Sequence, residues 1–161
     1  MQRQFYLTLC LLSCFVMLSC INKPQRNVEQ AQELSAEQEG LLQQGWTQNA
    51  PNGGDLDETY GIKPVYGIQD NYFDIRIGEG CCVAVKIVNA ETNQPIRYVY
   101  IPEGETVTVG QIPQGKYFLK LAYGRNWMEH EEGGMVKGRF TQGAFYERSA
   151  MAYDFGKKNS Q

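Results

Sequence analysis

Cys81 and Cys82 stand side by side just after Gly78-Glu79-Gly80, and they are the residues that most directly raise a question of chemistry. Adjacent Cα atoms lie about 3.8 Å apart, below the usual disulfide range of about 4.4–6.8 Å, so a bond between neighbours is strained. Three fates are open to the pair: a vicinal disulfide acting as a redox switch or rigid turn, a bond to another molecule, or two reduced thiols with one facing the core. Use of either as a nucleophile needs a base, usually His. The only His is His130, in Met-Glu-His-Glu-Glu-Gly-Gly, which reads as a flexible acidic loop. That stretch lacks the second His four residues on that a zinc-peptidase helix requires. Asp55-Leu56-Asp57-Glu58 is acidic but lacks the alternating oxygen ligands, central Gly and distal Glu of a calcium hand, so a solvated turn is expected. There is no Gly-x-Ser-x-Gly, phosphate loop or dinucleotide fingerprint. No catalytic residue, metal ligand or cofactor is assigned, and no enzyme is expected.

The aromatic residues are the better lead to a ligand. Tyr98, Tyr100, Tyr117, Tyr123 and Trp127 crowd a short stretch. Most are expected in a core, where Tyr buries its ring and keeps its hydroxyl at the edge. Exposed together, Trp127, Tyr123 and Tyr146 would stack on a sugar or grip a peptide, and these three are the candidate ligand-binding residues.

These residues need a scaffold, and the pattern from Tyr72 onward supplies strands. Phe73, Ile75 and Ile77 alternate with Tyr72, Asp74 and Arg76, and Val83, Val85 and Ile87 begin a second run. Turn clusters at residues 89–95, 102–105 and 113–116 separate further strands over 96–101, 106–112 and 117–123. In the third strand Ile96, Tyr98 and Tyr100 are expected opposite Arg97, Val99 and Ile101. Two weaker strands are expected at 136–141 and 150–155. Strands at intervals of about ten residues predict an all-β fold, a small β-sandwich.

Upstream, residues 20–70 are rich in Gln, Glu, Asn and Gly and read as a flexible acidic tether, with a short helix expected somewhere in Val28 to Trp46. Between residues 24 and 80 there are 3 Lys+Arg against 10 Asp+Glu; from 81 to 161 there are 10 against 8. Neither half carries the basic stripe that phosphate backbones demand, so nucleic acid is not an expected partner.

Residues 1–19 join a short basic start to an apolar run, too short to span a bilayer as a helix. The run ends in Leu18-Ser19-Cys20, which resembles the lipobox of bacterial lipoproteins. Cys10 follows a large residue, and cleavage before Cys14 would leave Phe15 to Leu18 exposed; Cys20 alone sits on the apolar-to-polar boundary. The resemblance implies a signal peptide over 1–19, acylation of Cys20, a lipid bilayer as partner, and a place in the cell envelope. With Ile21 and not Asp after the cysteine, it implies the outer membrane. Multiple acyl chains hold stably where one binds only reversibly.

VAVKIVNAETNQPI (Val83 to Ile96) and QIPQGKYFLKLAYG (Gln111 to Gly124) resemble the opening strand and the later Leu-Pro-x-Gly-x-Tyr strand entry of carboxypeptidase-regulatory-like, or transthyretin-like, sandwiches. Pro113 presets a turn, Gly115 permits a positive φ and Tyr117 begins the buried face. Fewer residues separate Ile96 from Ile112 than in that family, so a strand pair is shortened or rearranged, and the tail after Asn126 has no counterpart. The resemblance implies a prealbumin-like module over 71–161, an accessory domain with an envelope protein or glycan as partner. The alternatives are a carbohydrate- or peptide-binding surface protein using Trp127, Tyr123 and Tyr146, or a thiol-redox protein using Cys81 and Cys82.

Overall fold

The computed structural model describes residues 34–156. Cys20, the expected signal peptide and residues 20–33 of the expected tether lie outside the described residues. In chain order the elements are α1 (Ala36–Gln43), β1 (Thr47–Gln48), β2 (Gly54–Asp55), β3 (Phe73–Arg76), β4 (Cys82–Asn89), β5 (Pro95–Ile101), β6 (Thr106–Val109), β7 (Lys116–Glu132), β8 (Met135–Arg148) and β9 (Tyr153–Asp154). The described chain is mostly β, with antiparallel pairing throughout. No helix among the described residues is long and apolar enough to cross a membrane.

The larger sheet is built around β7. Its first half pairs with β4 from Tyr117 to Gly124, and β1 takes over beside Met128 and Glu129 where β4 ends. On its other side β7 pairs with β9 and then, along most of its length, with β8. β5 lies beyond β4, and β2 closes that edge. The smaller sheet is the pair β3–β6.

Strict alternation of Phe73 and Ile75 with Asp74 and Arg76 gives β3 one buried face and one exposed face, as expected. Those side chains, with Val109 of β6, close over Val83, Val85 and Ile87 of β4 and Val99 and Ile101 of β5. Ile96 joins this core although Tyr98 and Tyr100 face the other way. The expected shared face for these three is thus corrected, and the ladder slips nearby, between Ile87 and Val88. Arg97 is also buried, at 1% exposure: its Nη1 donates to the carbonyls of Val65 at 2.5 Å and Ile96 at 2.9 Å, and its guanidinium lies 3.7 Å from the Tyr66 ring centre.

The region read as a tether up to residue 70 requires correction. Residues 34–70 belong to the same compact unit as the strands. Ser35 and Gln38 form a reciprocal capping box on α1, which falls inside the expected helical stretch. Leu41, Leu56 and Ile62 are buried, and the Leu56 amide donates to the Tyr98 carbonyl at 2.8 Å. Asp57, expected in a solvated turn, is buried and accepts a hydrogen bond from the Tyr98 amide. Low average hydrophobicity concealed a few well-spaced apolar anchors, of which Leu56 is fixed by a backbone hydrogen bond to β5. The boundary expected at residue 71 therefore has no counterpart among the described residues.

The tail also differs. The stretch around His130, expected as a loop, is the second half of β7, and the weak strand expected at 136–141 is the first half of the 14-residue β8. Gly133 and Gly134, at φ +62° and +78°, turn one into the other. The strand expected at 150–155 is reduced to β9, and that expected at 106–112 to β6.

Candidate functional site

A bulge in β7 decides which side chains face which way. Up to Tyr123 the odd residues Tyr117 and Leu119 face the first core, with Leu121 and Tyr123 packed against it. The β7–β8 register then shifts between Tyr123 and Arg125, and beyond it Trp127 faces the opposite side. Gly124 makes the shift sterically feasible: a Cβ there would sit 2.5 Å from the Phe140 side chain.

Trp127 is consequently buried at 2% exposure, packed edge-on to Phe140 with ring centres 4.7 Å apart. It does not form an exposed stacking surface with Tyr123 and Tyr146. Tyr123 lies on the other face beside Phe145, whereas Tyr146 is 67% exposed. Trp127 and Tyr146 do meet at one cavity. The indole Nε1 donates to Glu129 at 3.0 Å and lies 3.1 Å from the Tyr60 hydroxyl. Glu129 also accepts from Tyr60 at 2.5 Å and from Asn49 at 2.6 Å. Burial, then the bond to Glu129, push the Tyr60 hydroxyl far above its ordinary value. This clamp fastens the 47–62 segment to β7.

The cavity, about 400 Å³ and open on one side, lies on the face away from the first core. Directly opposite residues in antiparallel strands share a face. Register therefore places Tyr98, Lys86, Lys120 and Arg148 in one row across β5, β4, β7 and β8. The next row on that face is Tyr100, Ala84, Ala122 and Tyr146. The two alanines leave the middle of this row low, and Trp127 and Phe140 wall it where β8 folds over. With strands about 4.8 Å apart, Lys86 to Arg148 spans about 10 Å.

The electrostatics of the row are unusual for a sheet. Like charges directly opposite each other are destabilising, yet three cations stand abreast. Among the described residues none of the three forms an ion pair with a carboxylate; the ion pairs present join Lys116 to Asp154, Lys137 to Glu132 and Arg139 to Glu37. Their nearest organising partners are rings: Lys86 Nζ lies 4.7 Å from the Tyr98 centroid, and Arg148 Cζ 3.8 Å from that of Phe118. Burial, and then the neighbouring Lys120 ammonium, lower the pKa of Lys86. Glu147 is the single carboxylate lining the cavity, and it belongs to the alternate register, opposite Leu121. The arrangement is suited to holding an anion.

The other expected site residues lie apart from this cavity. Cys81 and Cys82 are free, half-buried thiols. Cys82 packs on the second core, where its sulfur is hydrogen-bonded to Tyr100; burial first, and then that bond, raise the Tyr100 pKa. His130 stacks on Trp46, ring centres 5.4 Å apart, with Nδ1 3.3 Å from the Gly45 carbonyl. Among the described residues no group of three or more His, Cys, Asp or Glu side chains is placed to hold a metal ion.

Lys86, Lys120 and Arg148 were not singled out from the sequence. A signal was present: Val-Lys-Ile in β4 and Leu-Lys-Leu in β7 each set a charge inside an otherwise apolar strand. No protein-family model, curated protein or solved structure matches the chain.

Proposed function

We propose that this protein is a lipid-anchored, non-catalytic binding module of the bacterial cell envelope, a small β-sandwich that holds an anionic ligand on the row Lys86, Lys120 and Arg148. The row carries the proposal: three cations abreast, without carboxylate partners, are a standing cost to the fold that an anion would relieve. The sandwich reading draws support from the β3–β6 pair closing over one face of the larger sheet, and the anchor from Leu18-Ser19-Cys20. An accessory role is consistent with an open cavity of small-molecule size.

Two experiments test the two halves. Titration of the full chain with inorganic phosphate or sulfate, followed by fluorescence, is expected to show saturable binding that weakens with salt. The double variant Lys86→Ala/Lys120→Ala should bind at least tenfold more weakly; unchanged binding would place the anion site elsewhere. Metabolic labelling with a palmitate analogue should mark the protein, and Cys20→Ala should be unlabelled and released from membranes. A Cys20→Ala protein that stays labelled defeats the anchor.

A further inference from the structure

The cavity is chemically two-sided, which narrows what the anion carries. Along one margin run Lys86, Lys120 and Arg148; beside them the floor is Ala84 and Ala122, walled by Tyr98, Trp127 and Phe140. The indole N–H of Trp127 is already committed to Glu129 and Tyr60, so its ring offers only carbon to the cavity. Arg139, the remaining cation of the lining, is held by Glu37 at 2.6 Å. Ala84, Trp127 and Phe140 are already buried, so the apolar surface that a bare anion would leave in contact with water is that of half-buried Ala122 and exposed Tyr146. A carboxylate brings one charge and two oxygens to three cations, whereas a phosphate monoester brings nearly two charges and three terminal oxygens. Arg148 suits such a group because its planar guanidinium donates two parallel hydrogen bonds to phosphate oxygens.

We propose that the ligand is an organic phosphate monoester with an apolar body, its phosphate on Lys86, Lys120 and Arg148 and its body over Ala122 against the Tyr146 ring. This rests on the anion-site reading above and adds to it the phosphate class and the apolar body. The chemistry is shared by soluble phosphate esters and by lipids that end in a phosphate monoester.

Calorimetric titration of the full chain in mild detergent would compare inorganic phosphate, butyl phosphate, hexyl phosphate, hexanoate and dihexanoyl phosphatidic acid. Hexyl phosphate is expected to bind at least tenfold more tightly than either inorganic phosphate or hexanoate. From butyl to hexyl, affinity should rise about fourfold per methylene, the gain expected for each methylene buried. Ala122→Leu, which fills the floor, should abolish that dependence on chain length while leaving inorganic phosphate bound; if this variant fails to fold, the probe series on the wild-type chain decides alone. Phosphatidic acid binding at least as tightly as hexyl phosphate identifies a lipid source, and weaker binding a soluble ester. Equal affinity for inorganic and hexyl phosphate overturns the apolar body, and equal affinity for hexanoate overturns the phosphate class; both leave the anion site standing. Failure of every probe to bind overturns the anion site itself.

Discussion

The two faces of the larger sheet are made by the same strands and built on opposite terms. One face is lined by Val83, Val85, Ile87, Val99 and Ile101 and sealed by β3 and β6. The other alternates rings, alanines and three cations, and keeps a cavity open to solvent. On the first face almost every side chain lowers the free energy of folding by leaving water. On the second, the Lys86–Lys120–Arg148 row raises it, and half-buried Ala122 leaves a space that a larger residue would fill. Where a sheet sets like charges abreast with rings but no carboxylates beside them, the departure from best packing is informative about function.

The contrast can be broken most forcefully on the sealed face. Ile87→Ala removes a fully buried side chain between the two sheets and should cost about 2–5 kcal/mol, read from urea denaturation with an unchanged slope. A loss below about 1 kcal/mol would mean that the small sheet adjusts over the gap.

Gly138→Ala tests the wall between the two regimes. A Cβ at this position would lie 2.0 Å from the Trp127 ring, which rests directly on the glycine. The indole must shift, with an expected loss near 3 kcal/mol. The emission of Trp127 should change with it; an unaltered spectrum in a Trp46→Phe background would argue against the contact.

Asp57 ties the N-terminal segment to β5 and titrates unusually. Desolvation, only partly offset by the hydrogen bond from the Tyr98 amide, raises its pKa to about 6. A carboxyl group with a raised folded-state pKa binds its proton more tightly in the folded protein. Its contribution is therefore greatest below the ordinary value near 4 and is lost as pH rises through about 6. Stability should fall by about 2 kcal/mol across that window, after allowance for partial solvation. Asp57→Asn should flatten the profile between pH 4 and 7. A variant with the wild-type slope would assign the titration to another group.

The smallest effect sharpens the comparison most. Lys120→Gln removes the middle charge of the row and should stabilise the protein by about 0.2–1 kcal/mol, more at low salt, while weakening anion binding. Destabilisation by the same substitution would mean that the row is satisfied within the fold, and the functional contrast between the faces would disappear.

The strands from Phe73 to Tyr123 were legible in extent because Gly, Pro or Asn punctuates them, and β3 also in facing because it alternates strictly, whereas β5 is buried on both faces. The capping box at Ser35 and Gln38 is equally local, but only the helical stretch was expected from the sequence, not its cap. Beyond Tyr123 legibility fails at one residue. The register shift at Gly124 reverses the alternation, so Trp127, which the odd-numbered series from Tyr117 to Tyr123 would set facing the first core, ends in the second. The 47–62 segment escaped for a different reason: its holding contacts, Asp57 to Tyr98 and Asn49 and Tyr60 to Glu129, join partners more than 40 residues apart in sequence.

By itself the sequence determined the strand rhythm, the stretch in which the helix lies and the residue types available for chemistry, because these depend on neighbours within a turn or a strand. It also carried the Leu-Ser-Cys boundary at Cys20, a purely local pattern. Only the tertiary structure decided that Lys86, Lys120 and Arg148 stand abreast over a floor of two alanines. Each charge is unremarked in its own strand, and their proximity is a property of register, set by hydrogen bonds between strands distant in the chain.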